Sequence, residues 1–283
     1  MASTPDAKPY GTPSPAPAAP SRVTVTTLAK MAAEGQRIAM LTAYDASFAA
    51  LAERAGVDVL LVGDSLGMVV QGHRTTLPVT LDDIVYHTRC VVAGCSRPLV
   101  IADLPFGTFQ GAREDAFRAS VRALQAGAQM VKVEGGAWIA PTVEYLTTRG
   151  VPVCGHVGLG PQSVHMLGGY KVQGRTDAAA AALIGDAQAL ARAGASLVVV
   201  ECVPRDLGAR VTREAGVPVI GIGAGPDCSG QVLVVYDALG MQPGKAARFV
   251  RNFIPGHDSV EAALAAYVRA VKDGTFPASE HCF

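Results

Sequence analysis

The sequence predicts an α/β chain folded as a (β/α)8 TIM barrel, and three observations point there. Short runs rich in Val, Ile and Leu alternate eight times with longer segments rich in Ala, Leu, Glu and Arg. Several of these runs follow a Gly placed where a helix would end. The length of 283 residues is close to the roughly 250 typical of one such barrel.

In chain order the predicted strands cover residues 37–42, 57–62, 99–102, 129–133, 151–154, 197–200, 217–222 and 231–235. They are almost continuously aliphatic, as parallel strands buried on both faces require. Gly56, Gly127, Gly150, Gly194 and Gly216 stand just before strands. There a left-handed residue closes the preceding helix. Residues 178–193 carry helical spacing, with Asp186, Gln188 and Arg192 dispersed among Ala and Leu and with Asp177 placed to cap the start. Periodicity does not show whether the sheet closes, so a doubly wound open sheet is the competing architecture.

Composition excludes several function classes. The 24 basic residues balance the 24 acidic ones, and no basic stripe stands out, so nucleic acid and anionic membrane have no electrostatic footing. No apolar run approaches the roughly 18 residues of a bilayer span. Six cysteines occur without a CxxC pair, and Cys154 and Cys202 fall inside strand-like runs. Reduced, buried thiols and a cytoplasmic location are expected. Residues 1–22 are rich in Pro, Ala, Ser and Thr and read as a disordered tail without a signal-peptide core. Residues 23–283 read as a single catalytic domain.

A barrel gathers its catalytic groups at the C-terminal ends of the strands. Strand two leads into Gly63-Asp64-Ser65, strand three into Asp103-Leu104-Pro105, and strand four runs Lys132-Val133-Glu134. Asp64, Asp103 and Glu134 therefore hold corresponding places on consecutive strands, which lie about 4.8 Å apart, and can converge on one ion. Capping the next helix is the plainer use of any one of them. All-oxygen ligation selects a hard cation, Mg²⁺ before Mn²⁺ or Co²⁺.

Glu201 ends the apolar run of strand six, away from those acids. Desolvation against an apolar wall would strengthen it as a general base, and a salt-bridged or capping role is its alternative. Lys132 shares a face with Glu134 and suits an electrostatic role better than a Schiff base beside a metal. His156, at the end of strand five, can donate a hydrogen bond into the same mouth. The other five histidines show no metal-ligand spacing. Gly221-Ile222-Gly223-Ala224-Gly225 resembles a phosphate loop only weakly.

A divalent ion chelating the keto oxygen and carboxylate of a 2-oxo acid would acidify the adjacent C–H, an effect worth several kcal/mol. A base such as Glu201 would then remove that proton. The residue types do not name the electrophile.

The strings themselves are more specific. Leu61-Val62-Gly63-Asp64-Ser65-Leu66-Gly67-Met68, Ala102-Asp103-Leu104-Pro105-Phe106, Val131-Lys132-Val133-Glu134-Gly135-Gly136 and Pro161-Gln162-Ser163-Val164 resemble the ketopantoate hydroxymethyltransferase family. So do Gly168-Gly169-Tyr170-Lys171, Glu201-Cys202-Val203-Pro204 and the ending Phe276-Pro277-Ala278-Ser279-Glu280-His281. The resemblance implies a barrel of the phosphoenolpyruvate/pyruvate-type metal superfamily. It also implies hydroxymethyl transfer from 5,10-methylenetetrahydrofolate to 3-methyl-2-oxobutanoate, giving 2-dehydropantoate on the route to pantothenate and coenzyme A. It assigns Asp64, Asp103 and Glu134 to Mg²⁺, and Asp64, Ser65, Asp103 and Lys132 to the keto acid. Glu201 is its proton acceptor, and a homo-decamer is the implied assembly. Arg74 and His165 depart from the family pattern, outside the metal and base set. Two rival readings are a C–C lyase or mutase of the same superfamily and a non-catalytic barrel. The first would need a nucleophile or phosphate-binding groups that the sequence does not offer. The second conflicts with the intact acids and Lys132.

Overall fold

The computed structural model describes residues 21–242 and 244–283, so all but the last two residues of the expected tail lie outside the described residues. Eight parallel strands close in chain order: β1 (Ile38–Thr42), β2 (Val59–Val62), β3 (Leu99–Asp103), β4 (Met130–Glu134), β5 (Val153–Gly158), β6 (Leu197–Glu201), β7 (Val219–Ile222) and β8 (Gly230–Leu233). The pairing of β1 with β8, with Met40 opposite Val232, decides for the closed barrel over the open sheet.

Side chains alternate along each strand, and the two parities meet different surroundings. Ala39, Leu41, Leu60 and Val100 point outward into the layer of helices. Ile38, Met40, Val59, Leu61, Leu99, Ile101 and Met130 pack inside the lumen. Helix Val25–Ala33 seals the N-terminal end of that lumen with Leu28 and Met31. Two residues further along β3 to β6 the inward positions become polar. Ile101 gives way to Asp103, Met130 to Lys132, Cys154 to His156 and Val199 to Glu201. The apolar floor and the polar mouth are thus one alternating pattern read upward.

The predicted helix-ending glycines all take positive φ, from 80° at Gly216 to 108° at Gly127. The strand limits move slightly. β4 runs on to Glu134 and β5 to Gly158, while β8 stops at Leu233 because Val235 opens the short helix Val235–Ala238. Thr176, not Asp177, caps helix Asp177–Arg192, its hydroxyl accepting from the Ala179 amide at 3.3 Å. Thr176 has the extended backbone that a cap needs, and Asp177 is already helical.

At the N-terminal rim, Asp58 is 2% exposed and lies just before β2. Its carboxylate accepts from the Ala39 amide and from Arg97, both at 3.0 Å, and from Lys272 of helix Val260–Lys272. This clamp ties the last helix to the first strands, 214 residues apart in sequence. Among the described residues no helix is long and apolar enough to cross a membrane.

Candidate active site

A cavity of about 570 Å³ opens at the C-terminal ends of the strands, and Asp64, Ser65, Asp103, Lys132, Glu134 and Glu201 all line it. Every residue singled out in the sequence for metal, keto acid or base therefore reaches one chamber. Asp103 and Glu134 are the last residues of their strands. Asp64 departs slightly from the expected matching position, standing two residues beyond β2. Its amide donates to Asp103 Oδ2 at 3.2 Å, which folds it back over the mouth. One carboxylate oxygen from each of the three acids lies within 4.8 Å of the other two. Lys132 Nζ donates to both Asp103 oxygens at 2.7 Å and stands 3.6 Å from Glu134 Oε1.

His156 connects this acidic group to Glu201. Its Nδ1 is 3.3 Å from Glu134 Oε1 and its Nε2 is 3.1 Å from Glu201 Oε2. Neither ring nitrogen has a hydrogen-bond partner of full geometry, so these are contacts of charge. Glu201 consequently faces an imidazole and not the apolar wall that its strand suggested. The wall belongs to Val198 and Val200, which point outward, whereas Glu201 shares the inward parity of Val199. Ser65 Oγ pairs with the Tyr44 hydroxyl at 2.8 Å.

The electrostatics favour a divalent cation. Burial, with repulsion from Asp103 and Glu134, pushes the Asp64 carboxyl well above its usual range. Burial would also raise Glu134, but Lys132 and His156 beside it hold it below the usual carboxylate value. The Lys132 ammonium, which burial alone would weaken, is raised by Asp103, Glu134 and Asp64. Burial and Lys132 work against protonation of His156, yet Glu134 and Glu201 outweigh them and push it up to about 9. Ionising Asp64, Asp103, Glu134 and Glu201 together against Lys132 and His156 leaves an excess of two negative charges among these six neighbouring groups. Glu134 Oε1 is buried without a hydrogen-bond donor. An all-oxygen donor set with that charge and that unsatisfied atom fits a hard divalent ion.

Three participants escaped the sequence reading. Gln162, 5% exposed, sits in a loop-borne turn after β5. It donates from Nε2 to Asp64 Oδ2 and to the Leu104 carbonyl, each at 3.0 Å, and from its amide to Glu134 Oε2 at 3.1 Å. Tyr44, whose phenol is pushed up by burial, positions Ser65. Asp237, in the short helix after β8, also lines the cavity. Burial raises its carboxyl from the usual 3.8 to about 6. A raised carboxyl favours the protonated form in the folded chain, so its contribution is full below about pH 3.8 and lost as pH rises through 6. Asp237→Asn is therefore expected to be more stable than the wild type above pH 6. The gain is about 2 kcal/mol after allowance for partial exposure, and it vanishes near pH 4. Denaturant unfolding at several pH values measures it. The glycines of the weak phosphate-loop string answer to packing. A Cβ at Gly225 would stand 2.7 Å from Arg205 Cγ, and one at Gly223 3.0 Å from Phe249.

Known proteins match this architecture at two levels. The profile of the ketopantoate hydroxymethyltransferase family matches residues 22–279. The 3-methyl-2-oxobutanoate hydroxymethyltransferase of Ralstonia nicotianae is 63% identical over 92% of this chain and 95% of its own. That of Azoarcus sp. is 62% identical over 92% and 97%. Among solved structures, 2,3-dimethylmalate lyase, a PEP mutase/isocitrate lyase superfamily member, superposes with a TM-score of 0.56 at 20% identity, covering 78% of this chain and 84% of that one. Phosphonopyruvate hydrolase in complex with oxalate and Mg²⁺ superposes with the same score at 15% identity, covering 91% and 93%. These structural likenesses show the shared barrel fold. With the family profile spanning nearly all of a closed barrel whose acids meet at one mouth, the chain belongs to the ketopantoate hydroxymethyltransferase family.

Proposed function

We propose that the chain transfers a hydroxymethyl group from 5,10-methylenetetrahydrofolate to 3-methyl-2-oxobutanoate, giving 2-dehydropantoate. In this reading Asp64, Asp103 and Glu134 hold Mg²⁺, Asp64, Ser65, Asp103 and Lys132 bind the keto acid, and Glu201 is the base. The observation that carries it is the placing of Glu201, within one cavity, across His156 from a buried all-carboxylate cluster. Relatives more than 60% identical carry the corresponding name. A cytoplasmic homo-decamer belongs to the same proposal, and light scattering of the purified chain tests the assembly.

When bound, the cation supplies Lewis-acid polarisation of the keto group. Lys132 offers an ammonium to the substrate carboxylate, held in place by Asp103. Glu201 takes the proton from C3 of the keto acid, and His156 Nε2, 3.1 Å from its Oε2, holds the side chain in place. The methylene carbon exchanges its two bonds to folate nitrogens for one bond to C3 and one to the oxygen of water, and the proton taken by Glu201 and one from water leave on the two nitrogens of tetrahydrofolate. The lumen floor of Leu61 and Val199 keeps the isopropyl group of the substrate out of water.

Formation of 2-dehydropantoate is expected to stop in EDTA and to return with added Mg²⁺; full turnover in EDTA would overturn the metal assignment. A lyase or mutase of the same superfamily would yield no 2-dehydropantoate at all. Gln162 steadies two of the three ligand carboxylates. Gln162→Leu is therefore expected to weaken metal binding by about 10–100-fold, measured by Mn²⁺ titration with electron paramagnetic resonance.

A further inference from the structure

The mouth of the barrel has two unlike halves. From β2 round to β6 it carries Asp64, Asp103, Lys132, Glu134, His156 and Glu201. The remaining arc, β7–β8–β1, is walled by Ile222, Leu233, Val234, Ala247, Phe249 and Phe283. A branched keto acid of eight non-hydrogen atoms fills only a small part of about 570 Å³, whereas cavities of this size hold drug-sized ligands. The apolar arc is therefore open for the second substrate. It borders both β6, which carries the base, and β2, which carries the first metal ligand, so a molecule seated there reaches the carbon that Glu201 deprotonates.

Asp237 is the one acid on that arc among the described residues lining the cavity. Tyr44, whose hydroxyl meets Ser65, stands close enough to feel the charges of both Asp64 and Asp237. No Lys, Arg or His nitrogen comes within 4.0 Å of the Asp237 carboxylate among the described residues, although Lys245 lines the same cavity. A mostly buried, unpaired carboxylate in an apolar wall is unfavourable for the free protein. It becomes favourable when a ligand presents two parallel N–H donors to its two oxygens, the strongest geometry open to a carboxylate. The 2-amino-4-oxopyrimidine edge of a reduced pterin offers such a pair, its exocyclic amine beside a ring N–H, on a flat body suited to aliphatic and aromatic walls.

We infer that the β7–β8–β1 arc is the subsite for the one-carbon carrier and that Asp237 anchors the amino-oxo edge of its pterin ring. The inference rests on the proposed folate-dependent reaction. Calorimetric titration with tetrahydrofolate, and separately with 3-methyl-2-oxobutanoate and Mg²⁺, tests it on the wild type, on the isosteric Asp237→Asn and on Asp237→Ala. Both variants are expected to lose about 10–100-fold in tetrahydrofolate affinity and to bind the keto acid as the wild type does. A tetrahydropterin lacking the 2-amino group should bind the wild type as weakly as the variants do, and lose nothing further in them. Unchanged tetrahydrofolate affinity in both variants overturns the inference, as does equal weakening of the two ligands, which would mark Asp237 as structural. If the wild type neither binds tetrahydrofolate nor forms 2-dehydropantoate, the proposed function itself fails, and that outcome is distinct from the other two.

Discussion

Replacing Glu201 with Gln is expected to lower kcat by about 10²–10⁴-fold, the usual contribution of a positioned general base. The amide keeps the shape of the side chain and its place beside His156 but cannot take a proton. Glu201 is separated from the acidic cluster by the imidazole, so metal affinity should stay near the wild-type value. Steady-state kinetics with calorimetric Mg²⁺ titration separates the two effects. Wild-type turnover in this variant would remove Glu201 from the mechanism. The same variant should lose solvent exchange of the C3 hydrogen of 3-methyl-2-oxobutanoate, because that exchange needs the base and not the carrier.

Asp103→Asn should be the most damaging change in the ligand set. Asp103 is the point where the acids and Lys132 meet, with both oxygens 2.7 Å from Nζ and one accepting from the Asp64 amide. Neutralising it removes a ligand charge and frees Lys132 to draw toward Glu134, already 3.6 Å away. Mg²⁺ binding is expected to fall below detection at millimolar concentrations. Turnover should drop by about 10³-fold or more, as the loss of several kcal/mol of Lewis-acid stabilisation requires. Near-normal Mg²⁺ affinity in Asp103→Asn would move the metal site elsewhere.

Much of this was legible in the sequence because strand parity is a strict code. Once β3, β4 and β6 were located, Asp103, Glu134 and Glu201 stood at their C-terminal ends, where a barrel gathers its catalytic groups, and alternation put Lys132 on the same face as Glu134. The eight-fold rhythm and the left-handed glycines came from the same local chemistry. Closure did not, because the pairing of β1 with β8 joins the two ends of the barrel and leaves no mark on either run. Gln162, Tyr44 and Asp237 were missed for a related reason. They stand beyond the strands, where no strand period dictates direction; Asp237 lines the cavity from a short helix, and Gln162 and Tyr44 bond to residues that line it. The surroundings of Glu201 were misjudged because the apolar neighbours Val198 and Val200 face the helices, while the partner that matters, His156, lies on the adjacent strand.

The Asp58 clamp sits at the opposite rim from the acids, with the apolar lumen between them. The residues that tie the last helix to the first strands are thus physically insulated from those that handle substrate. Heat tolerance and catalytic rate can then drift as separate traits along a lineage, with changes around Lys272 or Arg97 adjusting the one while the mouth keeps the other.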